Sequence, residues 1–111
     1  MRLWNVDPRL MCDRHLLGEH VEMHMTAGCV KRGKRLDGFL KGGLLDLSLV
    51  EVRHLRLAAE MAGRGFKHKS PLGSVFWRGK YEQGGVDVEA NLVELRRRCD
   101  ACRERISDAL R

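Results

Sequence analysis

The chain has 111 residues and a formal net charge of +6, enough for one domain with a modest core. Its 43% hydrophobic content argues against disorder, and no apolar run approaches the ~18 residues a membrane span needs. Arg2, Asp7 and Arg9 interrupt any apolar stretch at the start, so no secretory signal is read there and a cytoplasmic protein is expected. Residues 31–80 hold twelve Lys and Arg against four Asp and Glu, while both flanks are slightly acidic. A basic excess concentrated in the middle suits a polyanion such as nucleic acid, or simply makes a soluble basic surface.

Asp13 is placed to cap a helix running to about Gly28, with Leu16, Leu17, Val21 and Met25 as its apolar face. His20 and His24 share a neighbouring face, but no Glu follows His20 directly, so the zinc-protease pattern is not met. They read as surface or groove histidines. Residues 31–43 carry four glycines and five cations, which predicts a basic loop. Gly33 lies between the pairs Lys31-Arg32 and Lys34-Arg35, where bare backbone can approach a phosphate; a flexible solvated loop is the alternative.

Ser48-Leu49-Val50-Glu51 has the capping-box pattern and predicts a second helix of about four turns. Val52, Leu55, Ala58, Ala59 and Ala62 are its expected inner face, and Gly63 and Gly65 its end. Residues 66–86 read as irregular. Aromatics and cations interleave there, in Phe66-Lys67-His68-Lys69 and Trp77-Arg78-Gly79-Lys80-Tyr81. That pattern suits stacking on bases beside phosphate contacts, unless Phe76 and Trp77 plug the core. Asp87 is placed to cap a third helix to about Leu110, with Val88, Leu92, Leu95, Cys99, Cys102 and Ile106 at steps of three and four.

The four cysteines are Cys12, Cys29, Cys99 and Cys102. Cys99 and Cys102 have metal or redox spacing, but no second CxxC accompanies them and both fall in the apolar stripe, so they read as buried free thiols. The expected architecture is all-α: one compact domain, residues 1–111, of about three helices joined by basic, glycine-containing loops.

Five stretches, in order, resemble the pyrimidine-dimer DNA glycosylase (endonuclease V) family of phage-type repair enzymes. Asp13-Arg14-His15-Leu16-Leu17-Gly18-Glu19-His20-Val21-Glu22 is similar to that family's first helix, and Gly33-Lys34-Arg35 with Phe39 to its basic loop. Ala59-Glu60-Met61-Ala62-Gly63-Arg64-Gly65-Phe66 is similar to the end of its long helix, Arg78-Gly79-Lys80-Tyr81 to its Arg-Gly-acid-Tyr segment, and Arg103-Glu104-Arg105-Ile106 to part of its last helix.

The resemblance implies a glycosylase with abasic-site lyase activity. In that family the N-terminal α-amine attacks the sugar C1′, an imine forms as the base leaves, a glutamate assists, and β-elimination cuts the strand. Here those groups are Met1 and Glu22. An α-amine titrates at about 7.7–8.0, so it serves as a nucleophile with little tuning. Arg2, His15, Lys31, Arg32, Lys34, Arg35, Arg64, Lys67, Arg78 and Tyr81 are the expected DNA contacts. Where the family has arginines close to the glutamate, this chain has Val21 and Met25. The expected partner is double-stranded DNA carrying a lesion or distortion, bound by a monomer without a membrane or cofactor. If phage-encoded, the protein is expected in the host cytoplasm, at the nucleoid.

The alternatives are a structure-specific endonuclease or junction-binding protein on the same scaffold, a non-catalytic basic DNA-binding module, and a zinc-binding interaction protein. A divalent metal, held by Glu22 and neighbouring acids, enters only under the first of these.

Overall fold

The computed structural model describes residues 1–68 and 70–111, so Lys69 of the aromatic–cation stretch lies outside the described residues. Among these are five α-helices: α1 (Asp13–Arg32), α2 (Asp37–Lys41), α3 (Val50–Gly63), α4 (Val88–Arg98) and α5 (Asp100–Ala109). Short 3-10 turns at Pro8–Leu10 and Leu47–Leu49 precede α1 and α3. The all-α fold is as expected, but the helices are more numerous than three, and the reasons are local. The basic loop contains α2, so it is not loop throughout. The long third helix breaks at Cys99, whose backbone is extended (φ −129°, ψ 112°). Cys99 thereby ends α4 and caps α5, its Sγ accepting the Cys102 N–H.

The helix ends also differ from the sequence reading. Cys12, not Asp13, is the N-cap of α1; Asp13 opens its first turn, where a carboxylate opposes the helix dipole. The same helix continues to Arg32 and stops at Gly33, whose φ of 68° places it in the left-handed region that glycine tolerates. Ser48 does not cap α3: its N–H and hydroxyl both donate to Asp46, which caps the preceding 3-10 turn. Asp87 does cap α4, accepting the Ala90 N–H at 3.0 Å.

The largest departure is in the faces. The buried stripe of α1 is Leu16, Glu19, His20, Met23, Thr26 and Val30, while Val21 and Met25 are 55% and 51% exposed. On α3 the buried residues are Val50, Arg53, His54, Leu57 and Met61, and the expected core residues Val52 and Leu55 are exposed. Each helix is rotated from its predicted face because charged and polar side chains occupy the α1–α3 interface. Arg53 and Glu19, both fully buried, form a two-pronged pair at 2.7 and 2.8 Å. Arg53 also donates to the Val6 carbonyl at 2.7 Å, and Glu19 accepts the Trp4 N–H at 3.0 Å. One ion pair thus binds the N-terminal segment to both long helices.

Between α3 and α4 the chain is irregular, as expected. It is anchored where Leu47 N–H donates to Gln83 O and Gly85 N–H to Leu45 O. Phe76 is 72% exposed and Trp77 half-buried against the core, so the two aromatics divide between the two readings offered for them. Among the described residues no helix is long and apolar enough to cross a membrane.

Candidate functional site

The N-terminus is held from three sides. Leu3 N–H donates to Leu44 O at 2.8 Å. Asn91 on α4 donates to the Trp4 carbonyl at 2.8 Å and accepts from the Arg2 guanidinium at 2.8 Å. Glu19 takes the Trp4 N–H, as described. The Arg2 guanidinium lies 3.9 Å over the Trp4 ring, a cation–π contact, and its Nε is buried without a partner.

This anchoring brings the amine beside Glu22. The carboxyl of Glu22 is pushed above its ordinary value by burial, against the pull of the N-terminal ammonium and the Arg2 backbone N–H. Thr26, one turn further along α1, donates to the Glu22 carbonyl at 2.8 Å and faces the Met1 sulfur at 3.5 Å. Glu22 lines a cleft of about 280 Å³ with Arg2, Trp4, Arg14, His15 and Arg98. Two roomier grooves, each about 400 Å³, lie elsewhere. The smaller cleft is the candidate site because it holds Glu22, the carboxylate on which the N-terminal ammonium acts. Asn91, Trp4, Arg14 and Arg98 were missed in the sequence: the first is a lone amide in a polar helix, and nothing local shows that α4 reaches the chain start.

The predicted DNA contacts fall in several places. Arg2, His15 and Glu22 line the cleft, with the N-terminal ammonium acting on Glu22. Lys31, Arg32, Lys34 and Arg35 are exposed around the end of α1, with Arg35 in a loose pair with Asp37 at 3.6 Å. Lys67 and Arg78 are exposed on the irregular segment. Arg64 is turned inward, its side chain only 12% exposed. It binds Glu60, Asp13 and the carbonyls of Pro8 and Met11, so its hydrogen-bonding capacity is spent on closing the fold rather than on a ligand. Tyr81 donates its hydroxyl to the Lys34 carbonyl and so braces the basic loop from beneath.

Two further clusters were not legible as clusters. His20 and His24 are not isolated groove residues: with His54 and His68 they bring four Nε2 atoms together. Burial first, then the facing His54, His24 and His68 rings, push His20 down to about 4, and burial lowers His54 as well. His20, lowered that far, does not supply the positive charge that Val21 and Met25 lack. The thiols of Cys99 and Cys102 are buried, as expected, but they converge with Cys12 and His15. Cys12 and His15 make a CxxH pair, and the separation of 87 positions between Cys12 and Cys99 hid its partnership with the CxxC.

These observations define an all-α protein with a half-buried carboxylate in a cation-lined cleft, within the electrostatic reach of the N-terminal ammonium. Residues 1–73 match the family model of pyrimidine dimer DNA glycosylases. The chain belongs to that family, in agreement with the resemblance read from the sequence. The matched stretch contains Met1, Arg2, His15, Glu22 and the basic loop, and ends before α4. Comparison with curated proteins and with solved structures gives no match.

Proposed function

We propose that the protein is a DNA glycosylase with abasic-site lyase activity, acting through an imine between the Met1 α-amine and the sugar of a damaged nucleotide. The observation that carries this reading is the anchoring of the N-terminus beside Glu22. The amine nitrogen bonds to C1′ while the C1′–base bond breaks, its electron pair leaving with the base. Loss of the amine proton and opening of the sugar ring give the imine. Removal of a C2′ proton then expels the 3′ phosphate and cuts the strand, and hydrolysis returns the amine. Glu22 stabilises the positive, sugar-like transition state and carries protons between these steps.

Arg2, Arg14 and Arg98 around the cleft are suited to flanking phosphates, and Lys31, Arg32, Lys34 and Arg35 to the backbone further along the duplex. A nucleotide reaches such a cleft by leaving the stack, which costs least at a lesion or distortion. The proposed partner is therefore damaged or distorted double-stranded DNA, bound by a monomer. The cleft surrounds Glu22 with cations, which favours amine chemistry over a metal held by Glu22 in a structure-specific nuclease.

Borohydride trapping tests the reading, on end-labelled duplexes carrying either a thymine dimer or an abasic site. Untagged protein should give a covalent band that N-terminal acetylation removes and Glu22→Gln weakens at least about a hundredfold, within the usual range for a proton-transferring group. Binding without a band on either duplex overturns imine chemistry. A band on the abasic duplex alone restricts the activity to the lyase step.

A further inference from the structure

We infer that the chain holds two metal ions in tetrahedral sites made entirely of its own side chains: a zinc ion on Cys12, His15, Cys99 and Cys102, and a second late first-row divalent ion on His20, His24, His54 and His68. Within each group the four ligand atoms lie within 4.8 Å of one another.

In the first site the Cys12 and Cys99 sulfurs are 3.8 Å apart. His15 Nδ1 stands 3.3 Å from Cys12 Sγ and 3.6 Å from Cys102 Sγ. Tetrahedral zinc, with bonds of about 2.3 Å to sulfur and 2.0–2.1 Å to nitrogen, requires edges of about 3.8 Å between sulfurs and 3.5 Å from sulfur to nitrogen. The backbone is arranged for thiolates. Cys12 and Cys99 stand at the N-caps of α1 and α5, and the Cys99 sulfur accepts an N–H of the first turn of α5, at the positive end of that helix. The Cys12 N–H donates to Cys102 Sγ at 3.3 Å, and the Cys102 N–H to Cys99 Sγ at 3.4 Å. Three thiolates and a divalent ion leave one negative charge, opposed by Arg14 and Arg98, which line the same cleft as His15. Soft sulfur with one imidazole in a four-ligand set selects zinc.

The second site rests on a different argument. Nε2 of His54 faces the Nε2 atoms of His20, His24 and His68 at 3.1, 3.1 and 3.3 Å, and His68 faces His20 at 2.8 Å. A neutral imidazole nitrogen offers one proton or one lone pair. One proton on His54 satisfies one of its three neighbours, so protons alone leave lone pairs pointing at one another. A cation at the centre uses all four, and the edge expected for bonds of 2.0–2.1 Å is about 3.3 Å.

Both sites are closed by four protein ligands, which is the structural arrangement rather than the catalytic one. The first fastens the start of α1 to the α4–α5 junction. The second fastens α1 to α3 and to the segment that follows it. Neither ion touches Glu22 or the amine.

The test is the metal content of untagged protein, by elemental analysis and native mass spectrometry, as purified and after reconstitution with zinc(II). Two ions per chain are expected, falling to one in Cys99→Ser/Cys102→Ser and to one in His54→Gln/His68→Gln. Should either variant fail to fold, cobalt(II) reconstitution of the wild type separates the sites. Two bound ions should show tetrahedral d–d absorption together with thiolate-to-cobalt charge transfer. One ion with charge transfer overturns the histidine site; one ion without it overturns the cysteine–histidine site. No bound ion in any preparation overturns both.

Discussion

Arg53 illustrates how much of the fold passes through single side chains. It is fully buried, and its charge is answered by Glu19 alone, with the Val6 carbonyl taking a further N–H. Removing one member of a buried pair leaves the other charged and unsolvated, at a cost of about 3–5 kcal/mol. Arg53→Met should therefore lower the unfolding free energy in urea by that order. Arg53→Met/Glu19→Gln should recover part of it, because the substituted amide is neutral and its oxygen still accepts the Trp4 N–H. An unchanged urea midpoint in the single variant would show that the pair does not hold the helices together. Gly84 is constrained by backbone and space together. Its φ is 82°, and a Cβ there would come within 2.3 Å of the Leu45 carbonyl oxygen. Gly84→Ala should cost at least about 1–3 kcal/mol in strain. Calorimetry should show a fall in Tm of several degrees, with the loop around Tyr81 released from Leu45 and Leu47.

At the scale of elements, existence was legible and orientation was not. The periodic apolar positions, Gly63 at a helix end and Asp87 as a cap mark real helices, because propensity and capping are local, whereas Gly33, read as a loop glycine, ends α1 beyond the expected stop at Gly28. The buried faces of α1 and α3 were misplaced because Glu19, His20, Arg53 and His54 are polar. A pattern search puts such residues outside, and only their mutual contacts, 34 residues apart, justify burying them. The break at Cys99 was hidden for a related reason: its Sγ replaces a helical hydrogen bond, and a CxxC in register with an apolar stripe looks continuous. Met1 and Glu22 became candidates only through the family resemblance, since an isolated glutamate on a helix carries no signal.

The basic loop supports a prediction at the same scale. Lys34 and Arg35 are exposed beyond the end of α1, and Tyr81 fixes the Lys34 backbone. Each phosphate contact contributes about 0.9 to the slope of log K against log salt. Lys34→Ala/Arg35→Ala should make that slope shallower by roughly two in fluorescence anisotropy titrations on duplex DNA. An unchanged slope and affinity would remove the loop from the interface.

For the whole molecule, the site depends on chain that the family match does not cover. Residues 1–73 supply the amine, Glu22 and the basic loop, but Asn91 on α4 holds Arg2 and the Trp4 carbonyl in place. The C-terminal helices therefore act as a back wall that sets where the amine stands. Misplacing a reacting group by about 1 Å costs on the order of a hundredfold in rate. Asn91→Ala leaves the Arg2 guanidinium and the Trp4 carbonyl without this partner, so the first residues gain freedom while every cation of the cleft remains. The expected result is a roughly ten- to hundredfold slower single-turnover rate of imine trapping, on that principle, with DNA affinity and salt slope unchanged. Asn91→Asp still accepts from Arg2 but no longer donates to Trp4, and should fall between the two. If Asn91→Ala traps as fast as wild type, the amine is positioned by Glu19 and Leu44 alone; if affinity falls in step with rate, α4 belongs to the DNA surface rather than to the support of Met1.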